Sequence, residues 1–255
     1  MNYKINKGFQ AHEQLLKEIV VNYETTGENF GNQDRNSLKL FALNSMTINV
    51  KSFKVPNIFN KIAYKFFRKS KAQRSFEYAN KLIEFNIGTP QPLAYFEFKS
   101  GLFFKNSYYI SEHLRYDLTY RELTTDFNYP NHEAILRAFT RFTYNLHEKG
   151  INFLDHSPGN TLIKTGEGDC KFYLVDLNRM RFESMSFEER IKNFAKLTIH
   201  KSMVEVMSDE YAKLINRDYN EVFELMWKET EAFQNRFHRK RRLKNKILFW
   251  RPKKY

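Results

Sequence analysis

Residues Ile151 to Ile163 read INFLDHSPGNTLI, and the reading of this stretch decides the fold. Two short apolar runs flank a turn built on Ser157, Pro158 and Gly159, which is ordinary hairpin material. A carboxylate, Asp155, stands at the entrance of the turn and an amide, Asn160, at its exit. Taken alone, both are turn residues that satisfy loop backbone. The neighbours change that reading. Asn131 to Lys149 carries apolar residues at helical spacing and ends at Gly150, directly before the stretch. Downstream, the apolar strand KFYLV leads to Asp176, sixteen residues past Asn160.

Metal-dependent phosphoryl transfer needs a carboxylate to orient the acceptor hydroxyl. It also needs an amide and a second carboxylate to hold Mg²⁺ on the nucleotide phosphates. Asp, then Asn five residues later, then Asp closing the next strand is the order that kinase-like folds use. The same chemistry asks the first half of the chain for a strand-borne Lys and a helix-borne Glu to pair with it. Lys51 closes the β-branched strand INVK, and Glu77 lies on a helix with Phe76, Ala79, Leu82 and Ile83. Glu84, two turns later on nearly the same face, is a rival for the pairing. Each residue has a bland surface reading; the weight comes from all five standing in the required order on the required elements.

Bulk properties bound the alternatives. The chain has 255 residues and 42% hydrophobic content, enough for one large domain or two lobes with a real core. Cys170 is the single cysteine, which excludes a disulfide framework and a thiolate metal site. The first ten residues, MNYKINKGFQ, lack the apolar core of a signal peptide, and no run of about 18 apolar residues occurs. A cytoplasmic protein is therefore expected. His147, His156 and His200 have no metal-ligand spacing and read as structural or surface groups.

The formal charge of +13 is concentrated in patches. Asn235 to Tyr255 holds ten Lys and Arg and no acid, and removing them leaves about +3 for the rest. Lys51 to Lys71 carries seven more basic residues without an acid. Such patches imply a polyanionic partner surface. The tail interleaves its cations with Phe237, Leu243, Ile247, Leu248, Phe249 and Trp250, which favours an interfacial segment on anionic lipid over nucleic acid.

Along the chain, residues 9–21 suggest a short helix or a helix running into a strand. SLKLFAL and MTINVKSF read as two strands joined at Asn44 and Ser45. Helical spacing runs from Ile58 to Phe85 and stops at Asn86-Ile87-Gly88-Thr89-Pro90. LAYFEF and SYYISEHL look like a further strand pair bridged by KSGLFFKN, and from Glu188 onward the pattern is helical. The expected fold is α+β in two lobes: residues 1–113 as a strand-rich, nucleotide-binding N-lobe with one main helix, and 114–255 as a mostly helical C-lobe with the catalytic loop, metal site and basic tail.

The segments INVKSF, RSFEYANKLIEFNIGTPQP, HEKGINFLDHSPGNTLI and FYLVDLNRMRF resemble the lipopolysaccharide kinases, the Kdo kinase and heptose kinase branch of the protein-kinase-like fold. The resemblance covers roughly Leu40 to Phe182. It implies Asp155 as catalytic base, Asn160 and Asp176 as metal ligands, and Lys51 with Glu77 as the ion pair of the nucleotide lobe. Arg179 matches an arginine common in this branch and is a candidate supporting residue. Glu112 to Leu114 falls where a kinase hinge would bind adenine. The implied activity is ATP- and Mg²⁺-dependent phosphorylation of a Kdo or heptose hydroxyl of the lipopolysaccharide inner core, a step in bacterial outer-membrane biogenesis. The implied partner is the anionic lipid A–core glycolipid, met peripherally at the inner face of the cytoplasmic membrane through the basic patches. A small-molecule or aminoglycoside-type kinase and a pseudokinase or polyanion-binding module are the alternatives.

The sequence also departs from the kinase pattern. Phe153 and Leu154 occupy the His and Arg positions of H-R-D. Ser157 stands where protein kinases place a lysine two past the base, so help with the leaving charge must come from elsewhere. Gly27 and Gly31 form G-x3-G, better read as plain loop glycines than as a phosphate cradle. No A-P-E motif occurs, and little room remains for an activation loop.

Overall fold

The computed structural model describes residues 1–31, 36–53, 69–100, 103–166 and 169–247. The chain divides into two compact units, Met1–Asp117 with Tyr173–Met180, and Leu118–Phe172 with Arg181–Tyr255. Tyr173–Met180, expected with the second lobe, thus returns to the first unit.

The first unit is built on β1 (Asn2–Ile5), β2 (Glu28–Asn29), β3 (Asn36–Leu43), β4 (Met46–Phe53), β5 (Pro92–Ser100) and β6 (Phe103–Glu112), with spatial order β1-β5-β6-β4-β3-β2. β3 and β4 meet at Asn44, whose left-handed φ of +53° is one that asparagine tolerates. β5 and β6 pair as far as Ser100 opposite Phe103, so the hairpin is tighter than a KSGLFFKN bridge would make it. Strand alternation gives the sheet two apolar faces. Helix α1 (Glu13–Val21) brings Leu16, Ile19 and Val20 to one of them, against Ile48, Val50, Ala94, Phe96, Tyr108 and Ile110. Helix α2 (Lys71–Glu84), capped by the Ser70 hydroxyl, brings Ala72 and Phe76 to the other, against Phe53 and Tyr95.

The second unit is mostly helical. Short strands β7 (Leu118–Thr119), β9 (Thr161–Thr165) and β10 (Cys170–Leu174) form one small sheet, and β8 (Ile151–Phe153) pairs with β11 (Met180–Phe182). Around them lie α3 (Tyr120–Thr125), α4 (His132–Glu148), α5 (Phe187–Asn193), α6 (Lys201–Ile215) and α7 (Tyr219–Ile247). Capping boxes at Thr119/Glu122 and Ser186/Glu189 start α3 and α5. The core joins Tyr120, Leu136, Phe139, Ile163, Phe172, Phe194, Met207 and Tyr211. Among the described residues, no helix is long and apolar enough to cross a membrane. Most of the basic run 51–71, and residues 248–255 with Trp250, lie outside the described residues.

Candidate active site

In the first unit, Lys51 lies opposite Tyr109 in the β4–β6 register and on the face that carries Phe53 and Tyr95. The ladder therefore turns its side chain away from the α1 core. Its ammonium donates to Asp176 Oδ1 at 2.7 Å. The same oxygen accepts from Asn178 Nδ2 at 2.8 Å. Asp176 has a φ of +57°, a conformation that costs a non-glycine residue energy and points to function when surrounding structure enforces it.

That enforcement is visible two residues earlier. The Leu174 N–H donates to Gly88 O and the Thr89 hydroxyl donates to Leu174 O, both at 2.8 Å. The segment that stops α2 therefore also clamps the end of β10, and strand geometry ends at Leu174 rather than running on to Asp176.

Glu77 does not meet Lys51. Its oxygens accept from Lys69 Nζ at 2.8 Å and Gln73 Nε2 at 3.0 Å. Lys69, just ahead of the helix cap, competes for the carboxylate, while Asp176 takes the Lys51 cation. Glu84 is exposed at the end of α2. At the end of β6, the N–H groups of Glu112 and His113 are spent on Gln91 O and Thr47 O, each at 2.9 Å. The Leu114 N–H carries no backbone bond among the described residues. His113 packs edge-on against Phe30, and burial, aided by Arg115, lowers its pKa. Gly27 has a structural reason for being glycine: its φ is +81°, and a Cβ would run into the Phe41 ring. Arg179 is exposed.

In the second unit, α4 delivers the chain to β8 through Gly150. Its φ is +64°, its carbonyl accepts from Glu183 N–H at 2.8 Å, and a Cβ there would lie 3.0 Å from Glu183 O. β8 is fully buried, so the Phe153 that replaces a histidine anchors the loop by apolar packing. Asp155 follows, and a 3₁₀ turn over Pro158–Asn160 closes the loop. The Asn160 amide nitrogen donates to Asp155 O at 2.8 Å. That bond fixes the separation of the two residues and leaves the amide oxygen as the atom of metal-ligating type.

A polar hub that leaves no periodic signal in the sequence holds the loop from behind. Asn193 Nδ2 donates to Phe153 O at 3.0 Å and to Asn152 Oδ1 at 3.2 Å. Its Oδ1 accepts from His156 Nδ1 at 2.9 Å and His147 Nε2 at 3.3 Å. Both histidines must therefore be protonated on those nitrogens, so His147 Nδ1 accepts from the Tyr211 hydroxyl at 2.8 Å. Burial pushes the pKa of His147 down to about 3 and that of His156 down to about 4. Both are structural, neutral imidazoles. Lys196 also reaches the loop, donating to Leu154 O and lying 3.7 Å from Asp155 Oδ1.

The donor types suit a magnesium nucleotide. Asp176 in the first unit and Asn160 in the second each carry a hard oxygen atom of the type that magnesium prefers. Among the described residues, no cluster of three or more His, Cys, Asp or Glu could hold a metal by itself. Lys51 is a cation of the kind that pairs with nucleotide phosphates.

The family model described as the Lipopolysaccharide kinase (Kdo/WaaP) family matches residues 51–225, more than half of the chain. The chain belongs to that family. As a lipopolysaccharide kinase it is a phosphotransferase of lipopolysaccharide biosynthesis. Among solved structures, one titled "WaaP in complex with acyl carrier protein" is 16% identical, with a TM-score of 0.63, covering 91% of this chain and 99% of the other. That likeness establishes the protein-kinase-like fold. A MAP kinase from Leishmania major, LmaMPK10, is also 16% identical, covers 78% of this chain and 61% of its own, and has a TM-score of 0.48. Among curated proteins, none matches the chain.

Proposed function

We propose that this lipopolysaccharide kinase uses ATP and Mg²⁺ to phosphorylate a Kdo or heptose hydroxyl of the inner core. The observation that carries the reading is the Lys51–Asp176 ion pair, which joins residues 125 positions apart at 2.7 Å. A phosphate-binding lysine and a metal-binding carboxylate are the two charges such chemistry needs side by side.

In this account Asp155 accepts the hydrogen bond of the acceptor hydroxyl and takes its proton as the new phosphorus–oxygen bond forms. Asn160 and Asp176 would hold the metal, and Lys51 would pair with nucleotide phosphate in place of Asp176. Bound Mg·ATP supplies the phosphoryl group and neutralises its charge. Glu77 serves as an alternative Lys51 partner once Asp176 is engaged, and the segment Glu112 to Leu114 offers the Leu114 N–H to adenine. Arg179 supports the metal-site segment.

The acceptor is an anionic glycolipid met at the inner face of the cytoplasmic membrane. The reading draws support from the far end of α7, where Arg236, Arg239, Lys240, Arg241, Arg242, Lys244 and Lys246 are all exposed. The WaaP of the similar structure is in complex with acyl carrier protein, so we extend the partner set to a protein of that kind. Mass spectrometry of core glycolipid from cells with and without the gene tests the proposal. Loss of a single phosphate on Kdo or heptose is the expected result, and an unchanged core contradicts it.

A further inference from the structure

The catalytic loop carries no cation of its own. Ser157 occupies the second position after Asp155, where a lysine would place a charge beside the transferring group. We propose that Lys196, carried by a separate 3₁₀ turn, is the positioning residue that supplies this charge to Asp155 and to the phosphoryl group in transfer. The inference rests on the phosphoryl-transfer reading above and deepens it.

Three features of the second unit carry it. The turn Phe194–Lys196 follows directly on Asn193, whose amide grips Phe153 O and Asn152. Asn193 and Lys196 together tie residues 152–155 to one rigid turn, so the ammonium is held relative to the base by more than its own flexible stem. The Lys196 ammonium donates to Leu154 O, which fixes its tip. Its distance from Asp155 Oδ1, 3.7 Å, is that of an ion pair and not of a hydrogen bond, so the ammonium bears on the carboxylate through its charge while its hydrogen bond goes to Leu154 O.

Neither side chain is sealed from solvent. Lys196 is 32% exposed and Asp155 is 28% exposed, so a substrate can reach both. An ion pair this exposed adds little to stability, which makes a purely structural role a weak account of it. In the transfer step the acceptor O–H gives its proton to the Asp155 carboxylate and its oxygen bonds to phosphorus. The bond from phosphorus to the bridging oxygen breaks, and ADP leaves with those electrons. Lys196 keeps its protons throughout and offsets negative charge with its position fixed in advance.

The test uses the full chain with Lys196→Met and Lys196→Arg, read by steady-state kinetics and by lysine Nζ resonances of the nucleotide-free protein. Lys196→Met should lower kcat by roughly 100-fold with KM for ATP nearly unchanged, the size of effect seen when one fixed charge-stabilising donor is removed. Lys196→Arg should restore most of the loss, because the charge returns. In the nucleotide-free protein, Asp155→Asn should move the Lys196 Nζ signal, identified by its absence in Lys196→Met. Wild-type kcat in Lys196→Met, a loss that arginine fails to recover, or an Nζ signal indifferent to Asp155→Asn would each overturn the proposal. If the unaltered chain turns over no acceptor, the proposed activity fails, while the resonance measurement still decides whether Lys196 and Asp155 are coupled.

Discussion

The Lys51 ammonium and the Asp176 carboxylate meet at 2.7 Å, one at the end of a β-strand and the other in a left-handed backbone conformation just past the end of another. The contact depends on two devices. Strand alternation turns Lys51 away from the α1 core, and Gly88 and Thr89 clamp Leu174 so that the chain must bend sharply at Asp176. Charge and backbone demands on Asp176 can be separated by substitution. Asp176→Asn keeps a side chain tolerant of this φ but removes the charge, and should abolish magnesium-dependent turnover with little change in folding. Asp176→Ala should lose turnover and also about 1 kcal/mol of stability, the cost of a left-handed residue without a polar side chain. Kinetics paired with urea unfolding of both variants checks the distinction.

Gly150 joins α4 to the buried strand before the Asp155–Asn160 loop with a φ of +64° and Glu183 O at 3.0 Å from a would-be Cβ. Gly150→Ala imposes backbone strain and a backbone clash together, and should destabilise the protein by ~2 kcal/mol. Urea unfolding measures it. A change within a few tenths of a kcal/mol would mean that the α4–β8 junction is not held as described.

Local features of this architecture are legible in the amino-acid sequence. Alternating residues around Asn44 and Ser45 announce the β3–β4 hairpin, and the run ending at Gly150 announces α4, because both rest on local periodicity and turn chemistry. Asp155, Asn160 and Asp176 stand in the sequence in the order that kinase-like folds use, and the fold shows Asn160 tied to Asp155 O. What the sequence hides is non-local. β1 is a four-residue strand whose partner is β5, paired as Asn2 with Glu97, and so short a run has no pattern of its own. The expected Lys51–Glu77 pair does not form because pairing is a competition among charges, and Lys69 and Asp176 win it in this structure. Asn193 and Lys196 stand about forty residues from the loop they hold, on a helix end and a short turn. Only side-chain geometry reveals them.

The buried histidines make acid lability a second consequence of the hub. His147 and His156 are held neutral, their pKa values pushed down to about 3 and about 4. The unfolded chain binds protons on both from about pH 6.5 downward, whereas the folded unit does not. Their contribution is therefore intact above pH 6.5 and is lost as the pH falls towards the depressed values. Between pH 7 and pH 5 the loss should be about 2 kcal/mol for each histidine. Urea unfolding at pH 7, 6 and 5 checks the slope, and His156→Gln should flatten it. Equal stability at pH 7 and 5 in the unaltered chain would contradict neutral burial.

Asn193 is the residue on which the loop backbone depends. Asn193→Leu keeps the volume but strips partners from Phe153 O, Asn152, His147 and His156. Leaving several buried polar groups unpaired should cost on the order of 3 kcal/mol. Hydrogen exchange across Ile151 to Ile163 should accelerate, and phosphoryl transfer should fall with it. Unchanged protection in that stretch would remove the hub from the account.

Asp155 is proposed to take the acceptor proton in phosphoryl transfer to lipopolysaccharide core. The most direct test of that role follows phosphate incorporation into purified core glycolipid with ATP and Mg²⁺, comparing the unaltered chain with Asp155→Asn, alongside nucleotide affinity of both. The expected result is transfer by the unaltered chain and a loss of roughly 100-fold to 10,000-fold in Asp155→Asn, with nucleotide affinity preserved. Undiminished transfer by Asp155→Asn would contradict it.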